Sequence, residues 1–262
     1  MHFFGDISNI SMGFMAIAAL CAGFVDAVAG GGGLIQLPAL LLGLTSSPTV
    51  QVLGTNKLSS VFGTAAAAVM YRRRVTPDFR FTCAMAIPAF LGSMGGALLA
   101  SHLPTHALRP IVFVLLVLVV IYTWKKPELG HVENLRHTQR RRNVIAVGSG
   151  AVIGFYDGIF GPGTGTFLMV VLVALLGFAF LTASSMAKVV NVATNLGALV
   201  IFGIHGVILW KVGLALGLAN IAGGILGARM AIRGGSALVR KFFLVVTVIL
   251  IFKVGIDTIT HW

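Results

Sequence analysis

Gly23-Phe24-Val25-Asp26-Ala27-Val28-Ala29-Gly30-Gly31-Gly32-Gly33 and Gly154-Phe155-Tyr156-Asp157-Gly158-Ile159-Phe160-Gly161-Pro162-Gly163-Thr164-Gly165 are two versions of one motif, offset by 131 residues. The same offset continues without a gap. Lys57 meets Lys188, Gly92 meets Gly223, Gly96-Ala97 meets Gly227-Ala228, and Arg109 meets Arg240. A period of this length lies far above the roughly 20–50 residues of solenoid repeats and indicates a duplicated membrane half, a plan common among secondary transporters.

The composition agrees with that reading. Of 262 residues, 57% are hydrophobic and 10% charged, and the mean hydropathy is +0.98. No single water-soluble core of this size hides so much apolar surface. About 20 apolar residues cross the roughly 30 Å of bilayer hydrocarbon, so the chain has room for about eight to ten segments. The fold class is an all-α integral membrane protein.

The formal charge is +12, from 19 Lys+Arg against 7 Asp+Glu. Four basic residues lie in Arg72–Arg80, six in Lys125–Arg142 and four in Arg229–Lys241, fourteen of the nineteen in all. Clusters between apolar runs mark cytoplasmic loops beside anionic lipid, so nucleic acid is excluded as a partner. Cys21 and Cys83 fall in apolar runs without a second Cys nearby and read as inert packing thiols. The first run follows Asp6 without a positively charged n-region, and it reads as a retained membrane helix rather than a signal peptide.

Each half holds five apolar runs: about 10–28, 34–44, 49–71, 81–101 and 108–124, then about 144–160, 165–178, 183–203, 212–228 and 239–256. The organisation is thus a first repeat over 1–124, a basic cytoplasmic linker over 125–143, and a second repeat over 144–262. The second run of each half is too short to cross. Eleven residues from Leu34 to Leu44 rise about 16 Å as a helix, so a half-helix is expected, re-entering together with the run before it. In the first half the Arg-rich loop follows run three, and in the second it follows run four. Placing both loops and the linker in the cytoplasm requires inverted topology, with both termini outside. The charges do not separate five crossings per half from three plus a re-entrant pair. The protein is expected in the cell inner membrane as a multi-pass chain. The small-residue run Gly92-Ser93-Met94-Gly95-Gly96 suits internal packing and a homodimer face equally.

Two constellations carry the candidate site. Four consecutive glycines do not hold a helix inside lipid, and broken backbone at that depth is tolerated where it is buried or lines a cavity. Free N–H groups of Gly31, Gly32 and Gly33, with those of Gly163, Thr164 and Gly165 from the opposite side, make an anion site. The alternative is that these glycines serve close helix packing alone. No Gly-Lys-Ser/Thr ending follows, so a phosphate loop is excluded. The second constellation lies in the third run of each half. Lys57, Ser60 and Thr64 share a helical face, with Asn56 beside it, and Lys188, Asn191 and Asn195 repeat that face. Ser47-Pro48 is a plausible N-cap and first helical position, which puts Lys57 about 14 Å along the helix, near mid-bilayer.

A lysine there faces water, a carboxylate or a substrate. Asp26 and Asp157 are the carboxylates well inside apolar runs. They are either coupling or gating groups, proton-linked, or salt-bridge partners of the lysines that hold the breaks. Gln36 is a weaker candidate donor, since Phe167 is its counterpart, and His205 reads as a helix-end residue. No metal-ligand spacing, cofactor motif or catalytic set is present, so neither a metal, a cofactor nor enzyme activity is expected.

The segments Gly-Phe-Val-Asp-Ala-Val-Ala-Gly-Gly-Gly-Gly-Leu-Ile, Leu-Gly-Thr-Asn-Lys-Leu and Gly-Phe-Tyr-Asp-Gly-Ile-Phe-Gly-Pro-Gly-Thr-Gly-Thr resemble those of the TauE/SafE family of sulfite exporters, also called the sulfonate uptake permease family, and within it the YfcA-like membrane transporters. The resemblance runs from about Gly23 to Gly255. It implies an inner-membrane transporter of small sulfur-containing anions such as sulfite or sulfonates. The expected function is alternating-access transport of a small anion around a net positive midplane site. The rivals are an anion channel built from the same repeat and a non-transport accessory protein.

Overall fold

The computed structural model describes residues 8–100 and 132–260. The expected fifth run of the first half, Arg109 and the start of the basic linker lie outside the described residues. Within them the chain forms α1 (Asn9–Ala29), α2 (Gly33–Gly43), α3 (Thr49–Arg72), α4 (Phe79–Ala100), α5 (Gln139–Ile159), α6 (Thr164–Val170), α7 (Phe180–Ile204) and α8 (Trp210–Thr260). A π-helical turn, Val171–Leu175, continues α6. Among the described residues there is no strand. Adding 131 to the starts of α1 to α4 gives 140, 164, 180 and 210, within one residue of the starts of α5 to α8.

Local chemistry sets the ends. The Ser8 side chain accepts from the Ser11 N–H at the start of α1, and Gly30 ends that helix in the left-handed region, its N–H bonded to Asp26 O. At α3 the cap is Pro48 rather than Ser47, because Pro48 is still extended (ψ 144°) and the helix begins one residue later than its sequence suggests. α5 starts at Gln139, inside the basic stretch. Helix propensity carries it past the hydrocarbon edge, which hydropathy does not register. α8 is divided at Gly235, whose φ of 64° and ψ of −169° break the helical path between the fourth and fifth apolar runs. With its two parts counted separately, five helical segments follow residue 138 among the described residues.

α1, α4, α7 and the Trp210–Val246 part of α8 are long and apolar enough to cross a membrane. α3 has the length, about 36 Å for 24 residues, but carries the polar face. α2 does not cross. Gly32 lies against Ala22 and Asp26 of α1, and Gly43 lies against Met15, so α2 runs back antiparallel along α1.

Contacts of the same kind fix the relative direction of α3 and α7. Gly54 of α3 sits beside Phe202 of α7, and ten residues further on Thr64 meets Asn195 through a 3.5 Å hydrogen bond. The chain therefore ascends α3 as it descends α7. These helices are mates under the 131-residue offset, and they run antiparallel to each other. Packing between halves repeats as well. Gly92 and Gly96 of α4 lie against the Ala151 and Phe155 backbone of α5, and their mates Gly223 and Gly227 of α8 lie against Leu20 and Phe24 of α1. The Gly92–Gly96 run thus packs inside the chain.

The basic stretches collect at one end. Arg74, Asp78, Glu133, Arg142 and Leu181 line a common recess, and the Leu181 N–H donates to Ser236 Oγ at 3.2 Å. There the linker straps the end of α6 and its π-helical turn. Asn134 and Arg136 N–H groups donate to Gly177 O (2.8 Å) and Leu176 O (2.9 Å), and Arg136 Nη1 donates to Ala174 O at 2.6 Å. His205 caps α7, its Nδ1 2.8 Å from Ile201 O. Cys21, expected as a packing thiol, is instead exposed on the outer surface of α1.

Added bulk at Gly96 or Gly227 meets backbone carbonyls, whereas nothing lies within 4 Å of the Cβ position at Gly148. Gly96→Val and Gly227→Val should each destabilise the detergent-solubilised protein by about 1–3 kcal/mol, by similar amounts, and Gly148→Ala should not. Thermal unfolding checks this; an unequal response of the two valine variants would contradict the duplicated packing.

Candidate functional site

The last turns of α1 and α5 deliver Asp26 and Asp157 to the breaks, and the middles of α3 and α7 deliver Lys57 and Lys188. Lys57 Nζ is 2.7 Å from Asp157 Oδ2, and Lys188 Nζ is 2.7 Å from Asp26 Oδ2. Each bridge joins a lysine of one repeat to an aspartate of the other, and the offset maps one bridge onto the other. Both lysines and Asp157 are buried, while the Asp26 side chain keeps 18% exposure.

The bridges are not equally satisfied. Lys188 Nζ also donates to Asp26 O at 2.6 Å. Among the described residues Lys57 Nζ makes one polar contact, with Asp157, so N–H donors of this ammonium remain for another acceptor. Thr164 Oγ1, 2.7 Å from both Asp157 Oδ1 and Gly161 O, holds that carboxylate in place.

The two glycine breaks meet each other, as both the anion-site and the packing readings require. Gly30 and Gly161, mates in the offset, both adopt positive φ, 83° and 89°, where side chains other than glycine are strained. A Cβ on Gly165 would lie 2.5 Å from Gly30 Cα, and the Thr166 N–H donates to Gly30 O at 3.1 Å. Among the described residues no backbone acceptor pairs with the N–H groups of Gly31, Gly32 or Gly33, nor with those of Gly163 or Gly165.

Between these elements is a cavity of about 40 Å³. On this scale it suits about three waters or one small oxyanion. Of the residues singled out from sequence, Asp26, Gly32, Gly33, Asn56, Lys57, Ser60, Asp157, Gly163, Thr164, Gly165, Asn191 and Asn195 line it, as do Thr64 and Gln36. Lys188 and Gly31 are buried beside it without lining it. Asn220 also lines it and was missed. Its signal is a lone Asn inside the apolar run 212–228, opposite Ala89 in the repeat.

The charge balance corrects one expectation. A net positive site was expected, but two lysines face two aspartates and the formal charge cancels. Ammonium groups in a low dielectric recruit the nearest carboxylates because a lone buried charge is costly. Attraction for an anion then falls to oriented donors and to the incompletely satisfied Lys57. Gln36 Nε2 is buried without a hydrogen-bond partner, as are the side-chain oxygens of Asn56 and Asn191. Carboxamides so placed await a ligand or water.

Two halves related by the 131-residue offset, each with a glycine break before a short helix, are joined by crossed ion pairs around a polar cavity. The chain belongs to the TauE/SafE sulfite exporter family, whose model matches residues 15–254. It is 38% identical to the probable membrane transporter protein ORF9 of a Sinorhizobium species over 98% of this chain and 96% of that one. It is 33% identical to the probable membrane transporter protein YfcA of Escherichia coli K12, over 98% and 95% of the two chains. A probable membrane transporter protein of Haemophilus influenzae is 34% identical, over 96% and 97%. No solved structure matches the chain. The family and these relatives are membrane transporters rather than enzymes, and this chain is a membrane-embedded member.

Breaking one partner of a buried bridge leaves a stranded charge, costing about 3–5 kcal/mol, whereas replacing both with packed apolar groups is often neutral. Lys57→Met should therefore lower thermal stability markedly, and Lys57→Met with Asp157→Leu should recover most of the loss. A double variant as unstable as the sum of its singles would show that the two residues do not interact.

Proposed function

We propose that the protein carries a small anion, sulfite or a small sulfonate in the first instance, across the cell inner membrane by alternating access. The basic end faces the cytoplasm and both termini face outward. The observation that carries this reading is Lys57, a buried ammonium lining the cavity with donors to spare. Its aspartate partner comes from the opposite repeat. An oxyanion entering the cavity competes with Asp157 for that ammonium and accepts from the Gly32 and Gly33 N–H groups. Occupancy thus loosens a link between the halves, and reclosure of the bridge follows release. In this scheme Asp26 and Asp157 gate the halves, and Asn56, Asn191, Asn195 and Ser60 complete the shell. The cavity volume favours sulfite over a bulky sulfonate. The family's name supplies the sulfur anion, and the donor set supplies the preference for anions.

Purified protein in proteoliposomes should show saturable flux of labelled sulfite. Lys57→Ala and Lys188→Ala should each reduce it at least roughly tenfold, about 1.4 kcal/mol, while still inserting. Unchanged flux in both variants would remove the lysines from the mechanism. Flux that never saturates, with single-channel currents in planar bilayers, would establish a channel instead.

A further inference from the structure

Asn220 sits in the first part of α8, before the break at Gly235, and is 3% exposed. Two glycines make its seat. A Cβ on Gly23 of α1 would lie 3.0 Å from Asn220 Oδ1, and one on Gly63 of α3 would collide with the same atom. Its Nδ2 donates to Ala19 O at 3.1 Å and to Gln36 Oε1 at 2.7 Å. A backbone carbonyl is an acceptor alone, so Asn220 must turn its NH₂ toward Ala19. The second N–H of that group points at Gln36, which must answer with its oxygen. The amide orientation of Gln36 thus follows from the α1 backbone and not from choice of rotamer. Its own NH₂ is left at the far end, buried and without a partner, on a residue that lines the cavity.

The offset shows that this arrangement is one-sided. Gln36 corresponds to Phe167 and Asn220 to Ala89. The duplicated scaffold therefore holds a donor on the first-repeat side of the cavity that the second repeat lacks. We propose that Gln36 is a specificity-determining residue that donates its carboxamide N–H to the transported anion, and that Asn220 is the positioning residue that fixes this polarity. The proposal rests on the anion reading above and deepens it. A group limited to accepting hydrogen bonds, such as sulfite, is matched by this donor. A cation or a donor-bearing ligand is not.

The test is concentration-dependent uptake of labelled sulfite by the full chain in proteoliposomes. Gln36→Leu keeps the bulk and removes the donor; KM should rise about tenfold or more, with the maximal rate within about twofold of wild type. Asn220→Asp places an acceptor against Ala19 O and draws the Gln36 NH₂ toward itself, turning Oε1 to the cavity. It should raise KM to a similar extent, and adding Gln36→Leu to it should raise KM no further. If Asn220→Asp fails to insert, Gln36→Leu alone decides. A wild-type KM in Gln36→Leu, alongside lost flux in Lys57→Ala, would overturn the assignment of Gln36 and leave the anion reading intact. A wild-type protein with no saturable flux of any small anion would sink both.

Discussion

Two ammonium groups buried in a membrane protein have to be neutralised, and here each is neutralised by the other half of the molecule. Lys57 reaches Asp157 and Lys188 reaches Asp26, both at 2.7 Å. Because the bridges cross between the halves, each half neutralises the buried charge of the other. The same contacts are a natural point for motion. In the proposed transport cycle, displacement of one half against the other stretches them, and a ligand that substitutes for a carboxylate lowers the cost of doing so.

Glycine supplies the second constraint. α1 and α5 end where positive φ is needed, at Gly30 and Gly161, and the two breaks come close enough that Gly30 and Gly165 tolerate no Cβ. The result is irregular backbone buried by protein, with peptide N–H groups that pair with no backbone acceptor among the described residues. Beside it the repeats diverge. The first contributes Gln36 and Asn56 where the second has Phe167 and Ala187, so a symmetric scaffold encloses an asymmetric shell.

Much of this was legible from the chain. The 131-residue offset relates the helix starts of the two halves to within a residue because matched hydropathy and matched glycines encode the same local structure twice, although the runs expected from about 144 and 183 begin at Gln139 and Phe180. The short second run pointed to a short helix, and α2 is eleven residues long. Lys57 and Asp157 stood out because charges inside apolar runs are rare. Their crossed pairing did not, because pairing depends on which helices meet, and within-repeat and cross-repeat bridges look alike in sequence. For the same reason the expected positive charge turned out to be cancelled. Asn220 was missed because one uncharged polar residue hardly perturbs a run like 212–228. Its meaning appears when Gly23, Gly63, Ala19 and Gln36 from three other helices are seen around it.

The most direct measurement is an experimental structure of the protein in lipid nanodiscs at saturating sulfite, compared with one in its absence. The account predicts density for the anion between the Gly32–Gly33 backbone and Lys57, with the Lys57–Asp157 separation lengthened beyond contact. A cavity holding water alone, with Lys57 and Asp157 still paired at full sulfite concentration, would contradict it.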